Sequence, residues 1–348
     1  YEVFSKMVTS IKEETFSPCI AYTGTRPVEY AAVPLTMYST GADHLESYTS
    51  MSALLEHFYA EKNTLTRIRQ KSSDLRRIVQ TALEREIKKY DLQLAQMKDT
   101  EKREKYRIYG ELLNTYGYSA KPGDKSLTAV NYYTSEPVTI PLDPTLSATE
   151  NAKKYFDKYG KLKRTYEALS ELTTQVKEEI DHLETISTAL DIALKEEDLV
   201  EIKEELTQSG YIRRKGGTKK AKITSKPFHY LSSDGFHIYV GKNNFQNDEL
   251  TFKFANGNDW WFHAKGIPGS HVVVKTEGKE LPDRTFEEAG RLAAYYSKGR
   301  EQEKVEIDYV QKKQVKKPAG AKPGFVVYYT NYSLMIDSDI SGIEKISD

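Results

Sequence analysis

The sequence predicts an α+β protein in which a long antiparallel coiled-coil hairpin is followed by a compact α/β domain. Three observations predict it. From about Glu46 to Thr115 there is no proline and, apart from Gly110, no glycine, so helix formers run on far beyond the length of an ordinary globular helix. From Tyr155 to Leu194 apolar residues alternate at spacings of four and three, the period of a coiled coil. From Pro227 onward the pattern becomes one of short strand-like runs separated by glycine and proline.

Residues 1–45 give a short helical stretch and two strand-like runs, Cys19–Tyr22 and Tyr30–Leu35, punctuated by Pro18, Gly24, Pro27 and Pro34. They are too few to enclose a core and read as the end of a domain whose bulk is missing. Cys19 reads as a small buried hydrophobe in its strand. The chain opens on Tyr1 in what reads as mid-helix, so it is taken as a fragment.

The hairpin spans 46–209. In its first helix Leu54, Phe58, Leu65, Ile68, Leu75, Val79, Leu83, Ile87, Tyr90, Leu94 and Met97 form the apolar stripe. The consecutive fours from Leu75 to Ile87 mark a stutter. In the second helix Tyr155, Tyr159, Leu162, Tyr166, Leu169, Thr173, Val176, Ile180, Leu183, Ser187, Leu190 and Leu194 keep the heptad without a break, with Lys177, Glu178 and Glu179 among the charges opposite. The connector, 117–146, carries Pro122, Gly123, Pro137, Pro141 and Pro144, and its alternating Val138-Thr-Ile140 predicts a short β cap. It lets the second helix fold back. About fifty paired residues at roughly 1.5 Å each make a rod on the order of 75 Å, a reaching arm. An intermolecular coiled coil is the alternative, because heptads alone do not identify the partner strand.

The acidic run Glu196–Glu205 predicts a further helical turn or two ending near Gly210. A linker, 210–226, follows with seven basic residues, no acid and the flexible pair Gly216-Gly217. Strands are expected in 227–348 at Phe228–Tyr230, Phe236–Val240, Trp260–Ala264, His271–Lys275, Val305–Val310, Phe325–Tyr329 and Leu334–Asp337. One amphipathic helix is expected from about Thr285 to Lys298, with Thr285 as N-cap.

Composition narrows the function. Lys and Arg number 51 and Asp and Glu 51, so the whole molecule carries no electrostatic signature and only local patches can bear on nucleic acid. No apolar run approaches the roughly 20 residues of a spanning helix, so membrane insertion is not expected. A single cysteine excludes an internal disulfide and a multi-cysteine metal site, and fits a reducing, cytoplasmic compartment.

Catalytic motifs are missing: there is no nucleophile elbow, Walker loop or dinucleotide fingerprint. His263 and His271 lie on separate predicted strands without further ligands at metal-binding spacing, so no metal, cofactor or enzymatic role is expected. Nucleic-acid chemistry has more support. Gln311–Gly324 holds five lysines and no acid in a loop rich in proline and glycine, which suits phosphate, and Lys298 and Arg300 could extend it. Gly241-Lys-Asn-Asn244 sets a lysine and two amides just past a strand, a composition suited to phosphate, ribose and base edges but equally to turn geometry and helix capping. Tyr106, Tyr109, Tyr116, Tyr118, Tyr132 and Tyr133 around the connector could stack bases, bind protein or pack the cap.

Several ordered blocks resemble one family. Asp234-Gly235, Val240-Gly-Lys-Asn-Asn244, Gln246-Asn-Asp248, Trp261-Phe-His-Ala264, Gly269-Ser-His-Val-Val273, Tyr296-Ser-Lys298 and Lys316-Lys-Pro-Ala-Gly-Ala-Lys-Pro-Gly324 are similar to the C-terminal NFACT-R domain of the NFACT family. Ile140-Pro-Leu-Asp-Pro144, Asn151-Ala-Lys-Lys-Tyr-Phe156 and Lys161-Leu-Lys163 resemble the start of its second coiled-coil helix. Residues 1–45 are similar to the last strands of its N-terminal domain, most of which is missing together with the residues linked to tRNA selection.

The resemblance implies a non-enzymatic ribosome quality-control factor. It would bind an obstructed large ribosomal subunit and tRNA to support C-terminal tailing of stalled chains, as a monomer, with NFACT-R as the RNA-binding module. The RNA-contacting set expected here is Lys242, Asn243, Asn244, His263, His271, Lys298, Arg300, Lys316, Lys317 and Lys322. The same family is also described as a fibronectin- or fibrinogen-binding surface adhesin without an anchor motif, which is the alternative function and would place the protein at the cell surface.

Overall fold

A computed structural model describes residues 2–13, 15–23, 26–35, 38, 43–214 and 225–347. The chain divides into two compact units, one of Tyr1–Ala82 with His182–Asp348, the other of Leu83–Asp181.

The first unit opens with α1 (Glu2–Lys12) and a three-stranded antiparallel sheet in which β1 (Cys19–Thr23) lies between β2 (Arg26–Ala31) and β3 (Asp43–Ser47). The second strand begins earlier than its apolar pattern suggests, because Pro27 is accommodated at a register shift opposite Tyr22. Ile20 and Tyr22 pack on Leu54 and Phe58 at the start of α2 (Met51–Asp99), and Cys19 is buried as expected. The same unit holds the end of α4 (Ala148–Ile192) and α5 (Glu196–Gln208), which is more than the turn or two expected. The Arg76 guanidinium donates to Asp191 and to the Leu190 carbonyl, both at 2.5 Å, while Arg67 and Lys71 pair with Glu196. As the number falls on α2 it rises on the partner, so the helices run antiparallel.

The second unit repeats that sense. Thr173 approaches the Met97 sulfur at 3.5 Å, Arg103 lies over the Tyr166 ring at 4.1 Å, and Tyr106 stacks on Tyr155. The expected continuous first helix is broken: α2 stops at Asp99, and α3 (Arg103–Tyr116) follows. At the break the Thr100 hydroxyl and amide both donate to the Met97 carbonyl, a local bond that competes with helix continuation.

The stripe on α2 also departs from its apolar pattern. Leu75, Val79 and Leu83 are buried, but Ile87 and Leu94 are exposed by 43% and 42%, and Ala82, Glu86 and Gln93 take the buried positions. The seam thus steps back by one residue at the stutter. The side chain of Leu65 lies outside the described residues. On α4 Tyr155, Leu169, Thr173, Val176, Ile180, Leu183 and Leu190 are buried as their spacing predicts.

The expected cap is a hairpin of β4 (Ser126–Asn131) and β5 (Glu136–Pro141), whose Leu127 and Ile140 pack with Tyr109, Leu112 and Leu113. Gly110 explains itself here: a Cβ would meet the Phe156 ring at 2.8 Å. A capping box, Ser147 with Glu150, starts α4, each side chain accepting from the other's backbone N–H. Tyr132 and Tyr133 both donate to Glu111.

The C-terminal domain, again in the first unit, is a seven-stranded antiparallel sheet. Its order is β13 (Tyr332–Ile336), β10 (Val305–Gln311), β8 (Trp260–Ala264), β9 (Val272–Val274), β7 (His237–Val240), β6 (Phe228–Leu231) and β14 (Glu344–Ser347). One face, with Phe228, Ile238, Val240, Phe262, Val272 and Val274, packs on Leu292 and Ala293 of α7 (Asp283–Tyr295). The other, with Trp261, Val273 and Val310, is covered by Leu250 and Ala255, and by Val315 and Tyr328 of a small hairpin, β11 (Val315–Lys316) with β12 (Val327–Tyr328). Thr285 is not the N-cap of α7. It is buried inside the helix, and its hydroxyl donates to Asp234 at 2.7 Å.

Candidate nucleic-acid interface

Three sequence features meet on the covered face of this sheet. The Gly241 turn leads from β7 into a short helix, α6 (Asn244–Glu249), which runs on as a π-helical turn, Leu250–Phe254. Asn243 caps α6 by accepting from the Gln246 amide at 3.0 Å.

Sequence composition suggests that Lys242, Asn243 and Asn244 face outward. In the structure all three are buried, and their partners come from one face of α5. Asp198, Glu201 and Glu205 are three and four residues apart and therefore project together. The Lys242 ammonium lies 3.3 Å from Asp198 and 4.5 Å from the centre of the Phe228 ring. Asn243 donates to Glu201, and Gln246 donates to Glu201 at 2.7 Å and to Ser225 at 3.0 Å. Asn244 donates to Glu205 and to the Thr185 hydroxyl, both at 2.7 Å, and Glu205 also meets His182 at 3.0 Å. Burial pushes the Glu201 carboxyl upward against these hydrogen bonds. The turn thus fastens the sheet domain to α5, and an RNA contact from these three side chains would require breaking that junction.

His271 is also internal, and His263 beside it is half-buried. His271 is buried: its backbone amide donates to the Asn247 side chain, and Nδ1 lies 2.7 Å from the Thr251 hydroxyl. His263 stacks on Trp261 and meets His271 edge to face at 5.5 Å. Burial holds His263 at about 4 and His271 well below the ordinary histidine value, so both rings are neutral at pH 7. Among the described residues no group of three or more His, Cys, Asp or Glu could hold a metal ion.

The lysine loop supplies the open part of the site. Lys316 and Lys317 are exposed and Lys322 is half-buried. Lys317 pairs with Asp248, which also accepts from the Gly324 amide at 3.0 Å. Gly324 has φ +79°, and a Cβ there would meet Asn244 Oδ1 at 2.4 Å, so glycine is required for the loop to close over α6. The loop is therefore held at its root while Lys313 and Lys316 face solvent, an arrangement that can attract phosphate without rigid base contacts. Lys298 and Arg300 follow the end of α7, paired with Glu184 at 3.1 Å and Glu301 at 3.5 Å. The basic linker's Lys215, Lys219, Lys220 and Lys222 lie outside the described residues.

The role of the α5 carboxylates was not legible from their sequence. An acidic run on a hydrophilic helix reads as a solvated face, and only their spacing of three and four hinted at a common partner.

Residues 1–225 match the model of the NFACT N-terminal and middle domains, and residues 226–329 that of the NFACT protein RNA binding domain. The chain is 41% identical over 308 residues to a Streptococcus suis protein named Rqc2 homolog RqcH, covering 88% of this chain and 55% of the relative. Proteins of the same name from Streptococcus pneumoniae serotype 2 and Bacillus subtilis are 38% and 36% identical, covering 99% and 98% of this chain and 60% and 59% of theirs. The chain thus spans little more than half the length of these relatives. A solved structure, the C-terminal part of the fibronectin/fibrinogen-binding protein from Streptococcus suis, superposes with TM-score 0.64 at 37% identity, covering 80% of this chain and 99% of that one.

Proposed function

The chain belongs to the NFACT family, and we propose that it is the arm and RNA-gripping part of a ribosome quality-control factor. In this reading the parent protein binds an obstructed large ribosomal subunit holding a peptidyl-tRNA and recruits tRNA for C-terminal tailing of the stalled chain. Peptide-bond chemistry stays with the ribosome, and the factor positions RNA in the cytoplasm. The observation that carries the reading is the lysine loop, with Lys316 and Lys317 exposed on a root fixed by Asp248 and Gly324.

The test is co-sedimentation with purified large subunits. Lys316→Glu with Lys322→Glu leaves the Lys317–Asp248 root in place and reverses two charges. It is expected to weaken association by at least tenfold at low salt, with the loss shrinking as salt rises. Unchanged sedimentation across the salt series sinks the role of this loop.

A second reading, a fibronectin- or fibrinogen-binding adhesin, is supported by the name of the Streptococcus suis structure. Retention of the chain on immobilised fibronectin, undiminished in the double variant and without affinity for large subunits, favours it.

A further inference from the structure

Beside the root of the lysine loop a cleft of about 410 Å³ opens between α6, the π-helical turn and the end of α5. It is lined by Phe245 and Phe252, with Gln208, Asp248, Glu249, Lys253 and Lys317 around them. We propose that this cleft holds one unstacked base of single-stranded RNA, with guanine preferred. The inference rests on the RNA reading above and gives it a specific site.

The cleft is of a volume that takes a small planar ligand, and two half-buried phenylalanines offer it apolar faces. Lys312 stands 5.7 Å from the centre of the Phe252 ring and makes no ion pair among the described residues, so a cation waits beside the stacking surface. Lys317 belongs both to this wall and to the loop, so a strand whose phosphates follow the loop passes the mouth of the cleft.

The polar groups decide which base fits. Asp248 is engaged, holding Lys317 and the Gly324 amide. Glu249 is more open: its side chain is 66% exposed, and its contact with Lys253, another residue of the cleft, is 3.7 Å, longer than a hydrogen bond. Both oxygens of such a carboxylate can accept parallel hydrogen bonds from adjacent N–H donors. Guanine alone among the four bases carries such a pair, N1–H and the 2-amino group, on its Watson–Crick edge. Uracil offers one donor. Paired bases in a duplex present neither a free edge nor a free face, so the site selects single strands.

The experiment titrates the chain with a guanine-bearing single-stranded 12-mer, oligouridylate of equal length and an RNA duplex. Phe245→Ala should weaken binding of the guanine-bearing strand by about tenfold with the salt slope unchanged, since it removes a stacking surface and releases no counterions. Glu249→Gln, a substitution at an exposed side chain that leaves the fold intact, should erase the preference for guanine over uridine. The proposal is overturned if both variants bind as the parent does while reversal of Lys316 and Lys322 abolishes binding, a result that leaves the RNA reading standing. It is equally overturned if Phe245→Ala and Glu249→Gln release a bound peptide and not RNA. If the parent chain binds none of the three RNAs, the RNA reading falls as well.

Discussion

Lys242 is the buried charge on which the junction between α5 and the sheet domain depends. With its ammonium 1% exposed, its solvation is replaced by Asp198 and the Phe228 ring. Asp198→Ala should therefore destabilise this unit by about 3–5 kcal/mol, because a charge is left without a partner in the interior. Lys242→Met should cost less, since Asp198 still accepts from the amides of Leu194 and Lys195. Urea unfolding of the two variants beside the parent checks the order, and equal midpoints for all three contradict it. The histidines make a second prediction at this scale. His263 and His271 have folded-state values below that of the unfolded chain, so on acidification the unfolded state takes up protons first. Stability should fall as pH drops from about 6.5 toward about 4, by up to about 1.4 kcal/mol per pH unit for each ring. His263→Gln should reduce that slope in unfolding curves taken at pH 7, 6 and 5. These residues show where sequence reading ended. Lys242, Asn243 and Asn244 have the composition of an open phosphate site, and nothing nearby in sequence reveals that Asp198, Glu201 and Glu205 occupy them.

At the scale of elements, helices were legible because their information is local. The heptads of α4 place Leu169, Val176, Ile180, Leu183 and Leu190 in the interior as their spacing predicts. The second half of α2 was read one residue out. After a run of fours an apolar pattern no longer fixes which side of the stutter faces the partner, and Glu86 and Gln93 are buried where Ile87 and Leu94 were expected. Gln93 Oε1 has no hydrogen-bond partner among the described residues. Gln93→Leu should raise stability by about 1 kcal/mol, visible as a higher thermal midpoint of the unit of Leu83–Asp181, because it removes an unsatisfied acceptor and adds apolar contact. A lower midpoint would mean that the polar residue is needed to hold the helix register. The strands divide along the same line. Those with a run of apolar residues, such as β8 and β10, coincide with the expected strands, whereas β3 and β4, rich in polar residues, were not expected. Those defined by long-range pairing, β14 against β6 and the two-residue β11 and β12, were missed or only partly seen.

At the scale of the whole molecule, the chain joins the middle region of an NFACT protein to its RNA binding domain, and its match covers 55% to 60% of the length of these relatives. Attraction for RNA rests on a few lysines on a fixed loop in a molecule whose total charge is zero, so association should be local and salt-sensitive. The most direct measurement is sedimentation of the chain with large ribosomal subunits that retain a peptidyl-tRNA, beside subunits stripped of it, over a series of salt concentrations. The account predicts tighter association with the obstructed subunits and an affinity that falls linearly with the logarithm of salt. Failure to sediment with either subunit at low salt, with retention on fibronectin, contradicts it.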